Sequence, residues 1–562
     1  MFVETIKSGS YHSVLLRESY RKDGKVLHRT IGNLTGKPQF EIDAINYALK
    51  HKKALSRIPG VSSAPQPVGA PLERQGKSAG AVCAILQVAD ELGIVDALGD
   101  SRHGKLALWQ VVARVIDQGS RLSAVRLAET HAACDTLDLE EFNEDSLYEN
   151  LKWVAESQER VEDELFARLW PDGSPPLYLY DVTSSYLEGD QNFFAMFGYN
   201  RDGKKGKMQI VVGLLCDPEG RPLSIEVFPG STGDTTTVKS QLEKISTRFG
   251  GKEIIFVGDR GMIKSKQILD LTGRKYKYIT GITRPQIEKL LEDKVLDMSL
   301  FDQELAEVES VDGVRYVLRC NPIRAEDTAQ NRDERIDQIV KAASRQTVYL
   351  KEHPKATPVK AVARVMAKAS RLKVGKLVVA SATERTVIVK RDEDAIAELA
   401  KLDGCYVLKT DVSPAMASKE IIHSRYKDLA KVEWAFRTSK TGQLEMRPVF
   451  VRTEESTRGH VFIVMLAYRI TQELAKRWKD VDMTVEEAVD ALDTLCLMEI
   501  HIGGMAVSQR FPEPRHDISR LLDAARIRLP AFLPISNVNV STRKKISERR
   551  DLRRKRKNAT HK

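Results

Sequence analysis

Three carboxylates stand where their surroundings invite chemistry: Asp181 inside the apolar run LYLYDVTSSY, Asp259 at the end of KEIIFVGDRG, and Glu433 within YKDLAKVEWAFRTSK. An aspartate in the middle of an apolar strand is costly to bury unless something pairs with it. LYLYDVTSSY offers no basic residue to do so. A divalent cation would offset that cost, and hard oxygen ligands with room for water suit Mg²⁺ or Mn²⁺. Each acid alone has an ordinary reading, as a strand-end or turn-capping residue, a turn residue and a surface glutamate. Only the set is specific.

The set needs elements that bring it together. PPLYLYDVTSSYLEG (175–189), KMQIVVGLLCD (207–217) and PLSIEVFPG (222–230) read as three strands. A helix over 235–249, a short strand over 252–261, a helix over 264–271 and a strand over 275–283 follow. Short turns make the first three strands antiparallel, and the helical crossover sets the fourth parallel to a neighbour. This is the element order of a ribonuclease-H-like sheet. It permits the Asp181 strand and the Asp259 strand to lie side by side, and ligands favour the carboxyl ends of such strands. On one continuous helix at about 100° per residue, Tyr426 and Lys440 fall within roughly 20° of Glu433, and Arg437 within about 40°. Leu429, Val432 and Phe436 occupy the adjoining flank. One edge would then pack on the sheet while the next offers acid, phenol and cations. A solvated amphipathic helix with an ion pair would give some of the same clustering.

Around this core the chain divides by texture. Residues 1–57 are β-rich at the start, with YHSVLLRESYR and KVLHRTIGNL joined at Lys22-Asp23-Gly24, a hairpin signal. A Pro/Ser/Gly-rich linker is expected over 58–80 and a helical domain over 81–160, where apolar residues recur at three and four. Such a run can include a helix-turn-helix. The core is read as 175–284 and 401–475, split by a large α+β insertion at 285–400. Helices are expected over 476–542, and 543–562 is a basic tail. The fold class expected is thus α/β: a ribonuclease-H-like mixed sheet, interrupted, between helical N-terminal and C-terminal regions. There is no internal repeat.

The 562 residues carry 88 Lys and Arg against 78 acids, a formal charge of +10. Arg543–Lys562 holds eleven Lys/Arg and two acids, net +9, nearly the whole excess. Such an arm is ordinarily solvated, and it can grip phosphates. Six scattered cysteines without a CxxC pair argue against a disulfide framework or zinc ribbon and fit a reducing cytoplasm. MFVETIKSGSYH has no apolar signal core, and HVFIVMLAYRI is far shorter than the ~20 residues of a membrane span. No membrane association is expected.

YDVTSSYLEG, IFVGDRGMIKS and Y-x₂-L-x₃-E-x₆-K resemble the three catalytic blocks of bacterial insertion-sequence transposases of the DDE superfamily. The group is the one marked by Y-x₂-R-x₃-E-x₆-K and a large insertion before the last acid. FGYNRDGKKGKMQIVVGLLCDPEGRPLSIEVFPGSTGDTTT (197–237) is similar to its second and third strands, and RGHVFIVMLAYRI (458–470) to the block after the glutamate. The resemblance spans roughly 100–500. It implies Asp181, Asp259 and Glu433 as the catalytic, metal-binding triad, with two Mg²⁺ or Mn²⁺ ions. It implies Tyr426, Arg437 and Lys440 as DNA contacts. The family's arginine position is Leu429, a departure, for which Arg437 could substitute. A homodimer synapsing two terminal inverted repeats, cleavage and strand transfer into target DNA, and a cytoplasmic, nucleoid-associated location are further expectations. The repeats would be held by 81–154 and 285–400. Two alternatives remain at this point: a nuclease or resolvase of the same fold that does not join strands, and a transposase-derived DNA-binding protein.

Overall fold

The computed structural model describes residues 1–8, 11–22, 24–51, 72–440, 444–447, 449–502 and 505–536, with 538, 540 and 542. The basic tail from 543, and 58–71 of the expected linker, lie outside the described residues. Two compact units are present: 1–74 with 500–507, and 75–499 with the C-terminal remainder.

In the first unit Phe2–Ser8 pairs antiparallel with Tyr11–Lys22, which pairs in turn with Lys25–Asn33. The sequence reading had two of these strands. Phe2–Ser8 adds a third. A helix, Gln39–Lys50, follows and buries Ile42.

The second unit is built on an eight-stranded mixed sheet. Its strands are β1 (Leu177–Tyr186), β2 (Gln209–Cys216), β3 (Pro222–Pro229), β4 (Ile255–Gly258), β5 (Lys277–Gly281), β6 (Ala306–Glu309), β7 (Arg315–Cys320) and β8 (Cys405–Thr410), in the spatial order β6-β7-β8-β5-β4-β1-β2-β3. β1–β3 are antiparallel, while β4 runs parallel to both β1 and β5. The element order read from 175–283 is the one observed. The insertion begins later than expected, because VRYVLRC enters the main sheet as β7, antiparallel to β8, and brings β6 with it. What stands apart is 322–400. The helices Pro322–Glu352 and Pro358–Arg371 pack with the hairpin Val378–Thr383/Thr386–Arg391 around their own core of Ile336, Ile339, Val365 and Val387. The helix Pro358–Arg371 turns Ala361, Val365 and Ala369 inward. Lys360, Arg364, Lys368 and Arg371, spaced four, four and three apart, run in a stripe beside that buried edge.

Both faces of the sheet are covered, and β2 is buried along its whole length. Alternation along β1 sends Tyr178, Tyr180 and Val182 to one face, against Val238, Leu242 and Ile245 of the helix Asp234–Thr247. Leu177 and Leu179 point to the other face. There the core is continuous through the helices Gly80–Glu91, Arg102–Ile116 and Glu144–Leu169, the acid-bearing helix Leu429–Lys440, and the long helix Glu454–Arg477. Glu454–Arg477 is buried without a break from Gly459 to Thr471, as a helix apolar on all sides must be. A Cβ at Gly459 would run into the Leu151 carbonyl, so the glycine permits the close crossing with Glu144–Leu169. Among the described residues no helix is long and apolar enough to cross a membrane, and the six cysteines are free thiols.

Three further expectations are corrected. Leu72–Ser78, read as linker, is a strand. The C-terminal region, read as helical, contains strands Cys496–Ile502 and Met505–Arg510. YKDLAKVEWAFRTSK is not one helix. The helix Lys419–Lys427 ends at Asp428, and Leu429–Lys440 starts afresh. Asp428 is a poor helix-interior residue, and its carboxylate is drawn into ion pairs with Arg425 and Lys431 at 3.2 and 2.9 Å.

Candidate active site

Strand register places the first two acids. β1 and β4 run in parallel with Tyr180 opposite Gly258, so the next residue on each strand is an aspartate, Asp181 and Asp259. Asp181 shares its parity with Leu177 and Leu179, which turns it to the face packed by Leu429–Lys440. That helix seats Val432, Ala435 and Phe436 in the core and leaves Glu433 exposed. Asp181, Asp259 and Glu433 consequently line one cleft of about 450 Å³, together with Arg201, Asp234 and Arg437.

Burial, reinforced by the negative charges of Asp259 and Glu433, pushes the Asp181 carboxyl up to about 7, against the opposing pull of the Val182 N–H and Arg201. Asp259 accepts a hydrogen bond from the Tyr426 hydroxyl at 3.0 Å and another from the Arg260 backbone N–H at 2.7 Å. Tyr426 stands at the end of the preceding helix, and a Cβ at Gly281 would meet its hydroxyl at 2.7 Å. A glycine at the end of β5 thus clears the approach. Burial, and then the charge of Asp259, keep the Tyr426 phenol protonated well above the ordinary range.

The other wall is cationic and closed. Lys440 is 9% exposed. Its ammonium donates to Thr183 Oγ1 at 3.0 Å and pairs with Asp202 at 2.5 Å. Arg447 pairs with the same carboxylate, which also accepts the Tyr186 backbone N–H at 3.0 Å. Burial first, then Arg447 and Arg201, lower the Lys440 pKa despite Asp202. Arg201 grips Asp234 through both carboxylate oxygens at 2.6 and 2.7 Å.

The predicted triad is therefore brought to one cleft. The predicted DNA-facing set is not of one kind. Arg437 is exposed at the cleft, its guanidinium 5.7 Å from the Trp434 ring. Tyr426 is turned to Asp259, and Lys440 is a buried counter-ion that shares Asp202 with Arg447 rather than an outward grip. Leu429 is 7% exposed and belongs to the core. Sequence reasoning missed Asp202, Asp234, Arg201, Arg447 and Thr183. The only signal was an acid set among cations in NRDGKKGK.

The donor set suits a hard divalent ion: three carboxylates in an open cleft, one of them raised first by burial and then by the other two acids. Among the described residues no three such side chains are already drawn around a common point. That is consistent with mutually repelling acids, one of which is tethered by a tyrosine.

A family model described as transposase DDE domain matches residues 172–470, and one described as IS1634 family transposase, N-terminal domain matches residues 3–64. No curated protein matches. A solved structure, the cryo-EM structure of piggyBac transposase synaptic complex with hairpin DNA, aligns over 75% of this chain and 81% of that one at 9% identity. The TM-score of that alignment is 0.33.

Proposed function

The chain belongs to the transposase DDE domain family, and from that premise we propose that Asp181, Asp259 and Glu433 are its catalytic, metal-holding acids. It is an insertion-sequence transposase, an enzyme whose partner is DNA, and DDE domains work with divalent ions. The observation that carries the residue assignment is the convergence of these three acids, from two strands and a helix, on one cleft. The order β3-β2-β1-β4-β5, with β2 alone antiparallel to the other four, supports a ribonuclease-H-like core.

Two Mg²⁺ or Mn²⁺ ions held by these acids would polarise the scissile phosphate and activate the attacking oxygen. The protein's own part is positioning. Tyr426 fixes one oxygen of Asp259, and β1 and β4 fix the spacing of the aspartates. Arg437 at the cleft supplies charge to flanking phosphates. In the first step water attacks the phosphodiester at the transposon end, forming a P–O bond and releasing a 3′-OH. In the second that 3′-OH attacks target DNA, again making one P–O bond and breaking another. The cationic stripe of the helix Pro358–Arg371 supports a role for the insertion in holding the terminal repeats. The helices between Gly80 and Leu169, a homodimeric synapse, the basic tail as a sequence-independent grip and a location in the cytoplasm at the nucleoid complete the reading.

The test is divalent-ion-dependent cleavage and strand transfer on DNA carrying the element's own ends. Wild type is expected to nick and join, and Glu433→Gln to bind the ends without cutting. Equal cutting by the two removes Glu433 from the triad.

A further inference from the structure

The loop that supplies Arg201 and Asp202 also carries exposed rings. Between β1 and β2 the sequence NFFAMFGYNRDGKKGK (192–207) exposes Phe193 at 66%, Phe197 at 63% and Tyr199 at 81%. Aromatic side chains left in water at that density are unusual on a chain that is only 6% aromatic. The same loop carries four cations: Arg201 is held by Asp234 and Lys207 by Glu188 at 2.8 Å, while Lys204 and Lys205 are exposed; its one acid, Asp202, is committed to Lys440 and Arg447. The Arg201 guanidinium lies 5.5 Å from the Tyr199 ring, and the Lys204 ammonium 5.7 Å from Tyr186.

The loop's place is set firmly. Its Arg201 backbone N–H donates to Ser184 Oγ at 2.8 Å, three residues along β1 from Asp181, and Asn192 is anchored to the Val451 carbonyl at 2.7 Å. The Gln209 side chain holds the Tyr199 carbonyl at 3.2 Å. Arg201 itself lines the cleft of the three acids. Exposed rings are thus held at the mouth of the cleft by a fixed backbone.

We propose that this loop is a stacking platform for unpaired nucleotides of the DNA end, with Phe197 and Tyr199 receiving bases while Lys204 and Lys205 hold the adjoining phosphates. Rings interleaved with cations are what single strands are bound by: every base has a face to stack, and every linkage a charge to neutralise. The inference rests on the transposase reading and extends it from which atoms react to how the strand beside them is held.

The test uses the full chain without divalent ions, so that cleavage plays no part. The probes are a blunt duplex of the element's end and the same duplex with a single-stranded overhang containing a fluorescent purine analogue. Wild type is expected to prefer the overhang and to quench the analogue. Phe197→Ala and Tyr199→Ala are each expected to weaken overhang binding about tenfold, the scale of one lost base stack, with little change for blunt DNA. Tyr199→Phe should retain both binding and quenching. Both rings are exposed, so the fold should survive. Binding to both probes without preference overturns the platform and leaves the transposase reading standing, whereas binding to neither overturns both. Unchanged DNA binding with a change in oligomeric state would make the rings a self-association surface and refute the proposal.

Discussion

The two walls of the cleft handle charge in opposite ways. On one, Asp181, Asp259 and Glu433 line a common space, and burial, with the charges of the other two acids added to it, raises the Asp181 carboxyl to about 7. On the other, Lys440 and Arg447 are neutralised by Asp202, and Thr183 takes a further Lys440 proton. A protein selected for stability alone would have matched the acids as it matched the cations. The asymmetry fits the proposed role of the acid wall as a ligand site, with the cation wall as part of the frame. Buried charges survive in folded proteins when paired, and unpaired ones cluster where something else will pair them.

Substitutions can break this comparison. Replacing Asp181 or Asp259 by Ala, or Glu433 by Gln, should lower DNA cleavage by roughly a hundredfold to a thousandfold, the scale of losing one electrostatic contributor to a transition state. The unfolding midpoint should hold or rise, since repulsion is removed. A midpoint that drops instead would place the acids in the frame. Lys440→Met should do the reverse. Denaturant unfolding is expected to show a loss of about 3 kcal/mol, because Asp202 loses a buried partner, and adding Asp202→Asn should recover part of it. Leu429→Arg puts a guanidinium where the family pattern has one but where this chain has core. A loss of about 2 kcal/mol without tighter end binding is expected, and a gain in end binding would show the position to be a phosphate grip after all.

The comparison is sharpened further through pH. The folded Asp181 carboxyl sits at about 7, above the unfolded value of about 3.9. The folded state therefore holds its proton more tightly. Its contribution to stability is complete at low pH and is lost as pH rises through about 7. Melting without divalent ions should show that decline, and Asp181→Asn should flatten it.

The sequence made the acid wall legible and the cation wall invisible, for a physical reason. A carboxylate inside LYLYDVTSSY violates the local pattern, and a violation can be seen. Lys440 and Asp202 each look like surface residues in their own neighbourhoods, and they meet only after the chain has travelled through most of the core. Much the same holds for the backbone. The strands β1 to β5 are apolar and ordered, so their pattern declares them. LERQGKS has no alternation that would mark a strand. The break at Asp428 has neither Gly nor Pro to signal it. VRYVLRC was recognisable as a strand, but its sheet is chosen by pairing with β8, about ninety residues away.

The all-round burial of Glu454–Arg477 has a consequence in time. This helix completes a core that residues 80–169 begin, and Gly459 must meet Leu151 backbone before that core can close. During synthesis the early helices therefore wait, with apolar faces uncovered, until the insertion and the acid-bearing helix have left the ribosome. If the acids act as proposed, a chain ended before residue 429 would carry the two aspartates without the helix that presents Glu433, and it is expected not to cut DNA.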